Sequence, residues 1–247
     1  MRVYHIVYEP SFRSATIHFW TECNLKCRGC FCNYEKLDFS LVDNWVDEVV
    51  KRNPQDPPTR FLSLEEVLGL LQKLDIERAI FIGTEPSLDP ELPALARELH
   101  KRFNSYNIML TNGLKLIDLT HIDEVVFSIK AVSDNIYRSY TGHSNKKMLE
   151  NFKTIYNSGK KMQAECLLIP RMIDAQEIEK VAIFIANIDK NITLRIDGYF
   201  KVGNCPWPAA TSDNVTRAAE LARKYLNKVN YLTGDMELKG EKPVRIF

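Results

Sequence analysis

Six apolar, β-rich runs alternate with helical patterns along this chain, and the alternation limits its architecture more than any other feature. Strand–helix–strand repetition lays parallel strands side by side and covers them with helices. Ala15–Trp20 is predicted as the first strand, followed by Arg78–Ile82, Asn107–Thr111, Glu124–Ile129, Met162–Ile169 and Ile192–Tyr199. Helical patterns lie near Leu64–Leu74, Glu91–Phe103, Asn145–Ser158, Ala175–Ala186 and Ser212–Val229. Ser63 and Glu66 form a capping box that starts the first of them. Six units give an α/β chain folded as a partial, TIM-like (βα)6 barrel rather than a closed eight-fold one. Barrel enzymes carry their chemistry in the loops at the C-terminal ends of the strands.

The 247 residues, 45% of them apolar, are expected to form one domain over 1–247, with its core at about 15–200. Two segments break the rhythm. Phe39–Arg60 holds an amphipathic stretch, Leu41–Val50, and then a proline-rich stop; it reads as a helix against the barrel side, or as a lid. Thr233–Phe247 reads as a tail ending in a short strand or arm at Val244–Phe247.

Charge narrows the function. Thirty-three basic and 32 acidic side chains nearly cancel, which argues against a general nucleic-acid binder with a basic stripe. Glu9, Arg13 and His18 interrupt the region where a signal peptide needs an apolar core. No apolar run reaches the roughly 18 residues of a membrane span. Six cysteines are too few for a disulfide scaffold. A cytoplasmic protein of a reducing compartment is expected.

Three of those cysteines, Cys23, Cys27 and Cys30, fall within eight residues directly after the first predicted strand. Three thiolates can hold one cubane cluster and leave its fourth iron without a protein ligand, open to chemistry. Zinc ordinarily takes four protein ligands in paired spacing, and a second pair is missing. Cys32, two residues on, would close the open iron if it bound, so it is expected not to. Cys166 and Cys205 are isolated in sequence.

The CxxxCxxC spacing resembles the signature of the radical S-adenosylmethionine (radical SAM) enzymes. The resemblance implies that Cys23, Cys27 and Cys30 hold one [4Fe–4S] cluster and that SAM chelates the open iron. Reduction would then split the sulfonium into methionine and a 5′-deoxyadenosyl radical. Other strand ends extend the likeness, most closely to the compact glycyl-radical-enzyme (pyruvate formate-lyase) activating enzymes, over roughly residues 15–200. Gly83-Thr84-Glu85-Pro86 resembles the GGE motif that holds the SAM ammonium, with Thr84 in place of the second glycine. Thr111-Asn112-Gly113 resembles the TNG turn of the activases, although Asn-Gly turns are common. Ser128-Ile129-Lys130 resembles their Asp-x-Lys, keeping the lysine that faces the SAM carboxylate and replacing the acid by Ser128. The stretches Tyr137–Gly142 and Asn145–Phe152 are similar as well.

Later strand ends contact ribose, adenine or substrate in that family, which points to Arg195 and Asp197; the two share a strand face and could equally pair with each other. Family members place an aromatic residue before the third cysteine, against adenine. Gly29 stands there in this chain, which leaves Phe31 or the backbone for that contact. His18 reads first as a core residue, and Met109, Met162 and Met172 as fillers.

The expected activity is therefore that of a radical SAM oxidoreductase. It needs an external low-potential electron donor of flavodoxin or ferredoxin type, and by resemblance it abstracts hydrogen from a glycine of a partner enzyme. The rivals are a radical SAM enzyme acting on a small molecule, peptide or RNA, and a non-catalytic iron–sulfur or zinc protein.

Overall fold

The computed structural model describes residues 1–41, 53–233 and 240–247. Among these residues, nine strands form one sheet in the order β8-β7-β6-β5-β4-β3-β2-β1-β9. They are β1 (Val3–Glu9), β2 (Ser14–Phe19), β3 (Arg78–Gly83), β4 (Tyr106–Thr111), β5 (Glu124–Ser128), β6 (Lys161–Leu168), β7 (Thr193–Gly198), β8 (Val229–Leu232) and β9 (Val244–Arg245). From β2 to β8 every pairing is parallel. β1 runs antiparallel to both β2 and β9. The edges β8 and β9 do not meet, so the barrel stays open.

The helices are α1 (Leu64–Leu71), α2 (Leu92–Phe103), α3 (Asp134–Thr141), α4 (Lys146–Asn157), α5 (Ala175–Asp189) and α6 (Ser212–Ala222). The capping box expected at Ser63 is present: its hydroxyl accepts from Glu66 N, and the Glu66 carboxylate accepts from Ser63 N at 2.8 Å.

Alternation along each strand separates two faces. Phe19, Phe81, Met109, Phe127, Ala164 and Ile196 face the helices and are buried. Phe127 meets Phe152 of α4 edge to face at 5.0 Å between ring centroids. Burying each such ring contributes about 1.5–3 kcal/mol. The opposite face lines the barrel and is half-buried along β6 and β7. At its N-terminal end, Glu124 accepts from Tyr106 Oη and Lys161 Nζ, both at 2.8 Å, which closes the floor with paired polar groups.

Register stacks the lining residues into rows: Ser128 lies beside Glu165, Glu165 beside Arg195, and Leu167 beside Asp197. These rows end at the C-terminal mouth, so a polar set from β5, β6 and β7 converges there.

The six predicted strands form, and three elements depart from expectation. β1 was not anticipated, because His5 and two tyrosines interrupt its apolar pattern; pairing with β2 satisfies its backbone instead. α3 is too short to show a clear helical period. The last predicted helix stops at Ala222, and Val229–Leu232 becomes a seventh parallel strand against β7. The tail strand Val244–Arg245 forms as expected, along β1. Most of the predicted stretch Leu41–Val50, and the question of a lid there, fall outside the described residues.

Gly113 sits at φ +75°, and a Cβ there would lie 1.9 Å from Phe127 Cζ. Gly159 has a similar φ of +78° with nothing within 4 Å. Gly113→Ala is expected to cost about 2–4 kcal/mol from strain and overpacking. Gly159→Ala should cost only about 1 kcal/mol from its backbone conformation. Urea unfolding of both variants measures the difference, and equal losses would contradict this packing.

Candidate functional site

The cysteine loop leaves β2 at Trp20 and is held on two sides. On the β3 side, the Thr84 hydroxyl accepts from Thr21 N and donates to Thr21 O, both at 2.9 Å, and Thr84 N donates to Phe19 O at 3.0 Å. On the α3 side, the Lys26 and Arg28 amides donate to the Thr141 and Tyr140 carbonyls, both at 2.9 Å. Thr84, the departure from a second glycine, is thus the residue that clasps the strand to the loop.

Gly83 has φ +124°, and a Cβ there would lie 2.1 Å from the Phe19 carbonyl oxygen, so the approach of the two strand ends admits only glycine. Gly29 has φ +70°, with Cys205 Sγ 2.9 Å from the place a Cβ would take. An aromatic side chain before Cys30 is therefore excluded. Phe31 packs edge to face on Phe200 at 5.6 Å.

Around this loop stand Glu85, Asn112 and Lys130. Glu85 is 1% exposed. Its carboxylate accepts from Thr111 Oγ1 at 2.7 Å, Asn112 N at 2.7 Å and Ser87 N at 3.2 Å. Those donors are neutral, and among the described residues no cation pairs with it. Burial raises its pKa, and the three hydrogen bonds only partly offset this. Asn112 donates to Asn24 Oδ1 at 2.7 Å and lies 3.7 Å from Cys23 Sγ.

Lys130 is half-buried and has no ion pair or hydrogen bond among the described residues. Burial pulls its pKa down, but the field of Glu165 and of Cys27, Cys30 and Cys23 outweighs that and holds it above the ordinary value. Tyr137 of α3 is fully buried, and among the described residues its hydroxyl has no partner.

Burial raises the Cys23 and Cys27 thiols, Cys27 to about 12. Cys30 is lowered, chiefly by a hydrogen bond from Cys32, which itself is raised in turn. Among the described residues no three His, Cys, Asp or Glu side chains already converge as a metal site.

On the far wall, Arg195 donates to Glu165 Oε2 at 2.5 Å and to Asp197 Oδ1 and Oδ2 at 3.0–3.2 Å. The pairing of Arg195 with Asp197 that the sequence left open is formed. Ser128 donates to Glu165, the member that strand reading missed. Its signal was present in the alternation Lys161-Gln163-Glu165, an unusual polar face for a barrel strand. His18 is a satisfied buried residue: its Nε2 lies 2.8 Å from Asp38 Oδ2.

This geometry agrees with the comparisons. Residues 17–185 match the Radical SAM superfamily, and the chain belongs to it. A protein of Methanocaldococcus jannaschii, described as a "Putative glycyl-radical enzyme activating enzyme", is 30% identical over 218 residues, covering 84% of this chain and 76% of that protein. Among solved structures, a domain of pyruvate-formate lyase-activating enzyme from Bacteroides vulgatus superposes with a TM-score of 0.52 at 15% identity, covering 62% of this chain and 98% of its own. QueE from Escherichia coli gives 0.55 at 16% identity, covering 94% and 95%. At such identities the two structures share the partial-barrel fold. Membership of the superfamily implies SAM and a [4Fe–4S] cluster.

Glu85 supplies a test of the electrostatics. A carboxyl whose pKa is raised by folding binds its proton more tightly in the native state, so its contribution to stability falls as pH rises through the folded value. Glu85→Gln removes that term. The stability of the variant relative to wild-type apoprotein should therefore increase as pH rises from the ordinary carboxylate range toward neutrality. Urea melts across that range measure it, and a flat difference would show that Glu85 is not desolvated.

Proposed function

We propose that Cys23, Cys27 and Cys30 hold one [4Fe–4S] cluster, that SAM binds at its open iron, and that the enzyme activates a partner protein by removing hydrogen from one of its glycines. The observation that carries the SAM reading is a pair of charged side chains beside the cysteine loop that, among the described residues, form no ion pair: buried Glu85, held only by neutral donors, and Lys130, which feels Glu165 without bonding to it. They are complementary to the two ends of a zwitterionic amino acid. The Tyr137 hydroxyl, without a partner among the described residues, adds a hydrogen-bonding group.

The bound cluster and SAM supply a one-electron cleavage that yields a 5′-deoxyadenosyl radical. The chain's own residues do the positioning. Glu85 receives the ammonium, and Lys130 pairs with the carboxylate. Gly83 and Thr84 present backbone where the end of β3 meets the end of β2, and Thr111 and Asn112 orient Glu85 through its two shortest hydrogen bonds. Ser128, with Glu165, offers polar atoms to the ribose. Arg195 and Asp197 hold Glu165 in place from the next strand. Phe31, backed by Phe200, flanks the cluster loop on the adenine side.

The activase reading is supported by the M. jannaschii relative and by the tail, whose β9 lies along the sheet edge beside β1. An open side suits a loop of a large partner. A small polar substrate is the second reading, favoured by the His5–His18–Asp38 group on the β1–β2 wall, where the two imidazoles lie 5.1 Å apart at a tilt of 45°.

Anaerobic reconstitution should give about four irons and four sulfides per chain. Cys27→Ala should abolish the cluster, and Cys32→Ala should retain it. Glu85→Gln and Lys130→Met should each weaken SAM binding by roughly 1.5–3 kcal/mol, about ten- to a hundred-fold. Mixed with SAM and a glycyl-radical enzyme, the reduced protein should generate the doublet of a glycine-centred radical. SAM cleavage that never yields this signal with any candidate partner would overturn the activase reading and favour the small substrate.

A further inference from the structure

The outer face of the cysteine loop is basic. Lys26 and Arg28, which flank Cys27, are both exposed. Their amides fix them against the last turn of α3 through Thr141 and Tyr140, and the Arg28 guanidinium lies 4.9 Å over the Trp207 ring. A Cβ on Gly142 would lie 3.8 Å from Lys26 Cβ, so the connection into α4 runs directly beside Lys26. α4 then opens with Lys146 and Lys147, both exposed.

Two lysines in the first turn of a helix stand at the positive end of its dipole, where cations are disfavoured. Glu150, three and four residues on, is the nearest acid along the helix, and it forms no ion pair with either lysine among the described residues. The first turn of α4 holds no acid, and Asn145 does not cap it through its side chain, because its amide donates to Val132 O at 2.6 Å. Asp134, the acid that anchors this connection through Ser144 and Asn145, is already paired with Arg138 at 2.6 Å. Lys26, Arg28, Lys146 and Lys147 have no ion pair among the described residues. Glu22 and Glu150 lie to either side of the group in sequence. Four exposed cations beside the cysteine loop are thus left without an ion-pair partner among the described residues.

We propose that Lys26, Arg28, Lys146 and Lys147 form the docking face for a small acidic electron-carrier protein. The inference rests on the proposed function, which requires one electron from outside the chain. That electron leaves the reduced carrier, which is oxidised by one equivalent, and takes the cluster from its 2+ to its 1+ state. A carrier on this face would sit against residues adjacent to a cluster ligand, which shortens the path for the electron. Charge complementarity of this kind acts mainly on the rate of encounter.

The test uses the cluster-loaded full chain, with reduced flavodoxin as the probe and stopped-flow absorbance as the readout. Lys146→Glu combined with Lys147→Glu should slow cluster reduction by about tenfold at low ionic strength. The gap should close near 1 M salt, where the Debye length is about 3 Å. Reduction by photoreduced deazariboflavin, an uncharged donor, should be unchanged. Because glutamates suit a helix N-terminus, the variant is expected to fold at least as well as wild type, and the Gln pair should give an intermediate rate. Equal rates with flavodoxin at low salt would overturn the proposal. So would unchanged flavodoxin rates accompanied by lost binding to an RNA oligonucleotide, which would assign the face to phosphates. Failure of the chain to take up iron would instead overturn the proposed function itself, and with it this inference.

Discussion

The site is built on the junction between the ends of β2 and β3, where a Cβ on Gly83 would lie 2.1 Å from the Phe19 carbonyl oxygen. Thr84 then reaches across with its hydroxyl and bonds Thr21 in both directions. Because Thr21 is two residues before Cys23 and Thr84 is one before Glu85, this junction fixes the start of the thiol loop relative to the buried carboxylate. The α3 carbonyls that accept from Lys26 and Arg28 fix the other side. A loop that must present three thiols on one side gains its shape from these two anchors.

Electrostatics in the mouth is unbalanced by design of the sheet rather than by chance of the surface. Glu85 is buried among neutral donors, while Lys130 feels Glu165 and three thiols without touching any anion. Leaving such groups unpaired works against folding, and the neighbouring strands show the ordinary remedy. Glu165, Arg195 and Asp197 satisfy one another, with Ser128 completing the chain. The contrast separates groups satisfied within the wall from Glu85 and Lys130, the pair the proposed SAM site uses.

Much of this was legible in the sequence. The CxxxCxxC run after an apolar strand, the Gly-x-Glu turn one unit later and the lysine ending the fourth predicted strand all lie at the mouth, because each follows a short apolar run that reads as a strand. β1 was not legible, since its inner face carries His5 and Glu9 and its pattern is too polar to read as a strand. β8 was hidden for a different reason. Four residues after a long helical pattern carry too little information, and only the exposed edge of β7 recruits them.

The sequence by itself determined the family, the order of βα units and the three thiols, because spacing and periodicity are local properties that survive without neighbours. Whether Arg195 pairs with Asp197 or stays free was decided by tertiary structure, since Glu165 arrives from a different strand to complete the group. Only the fold showed that Thr84 serves as a clasp and that Gly29 is pressed against Cys205. These facts depend on atoms far apart in the chain brought to within 2–4 Å, and no local pattern of residues encodes such a distance.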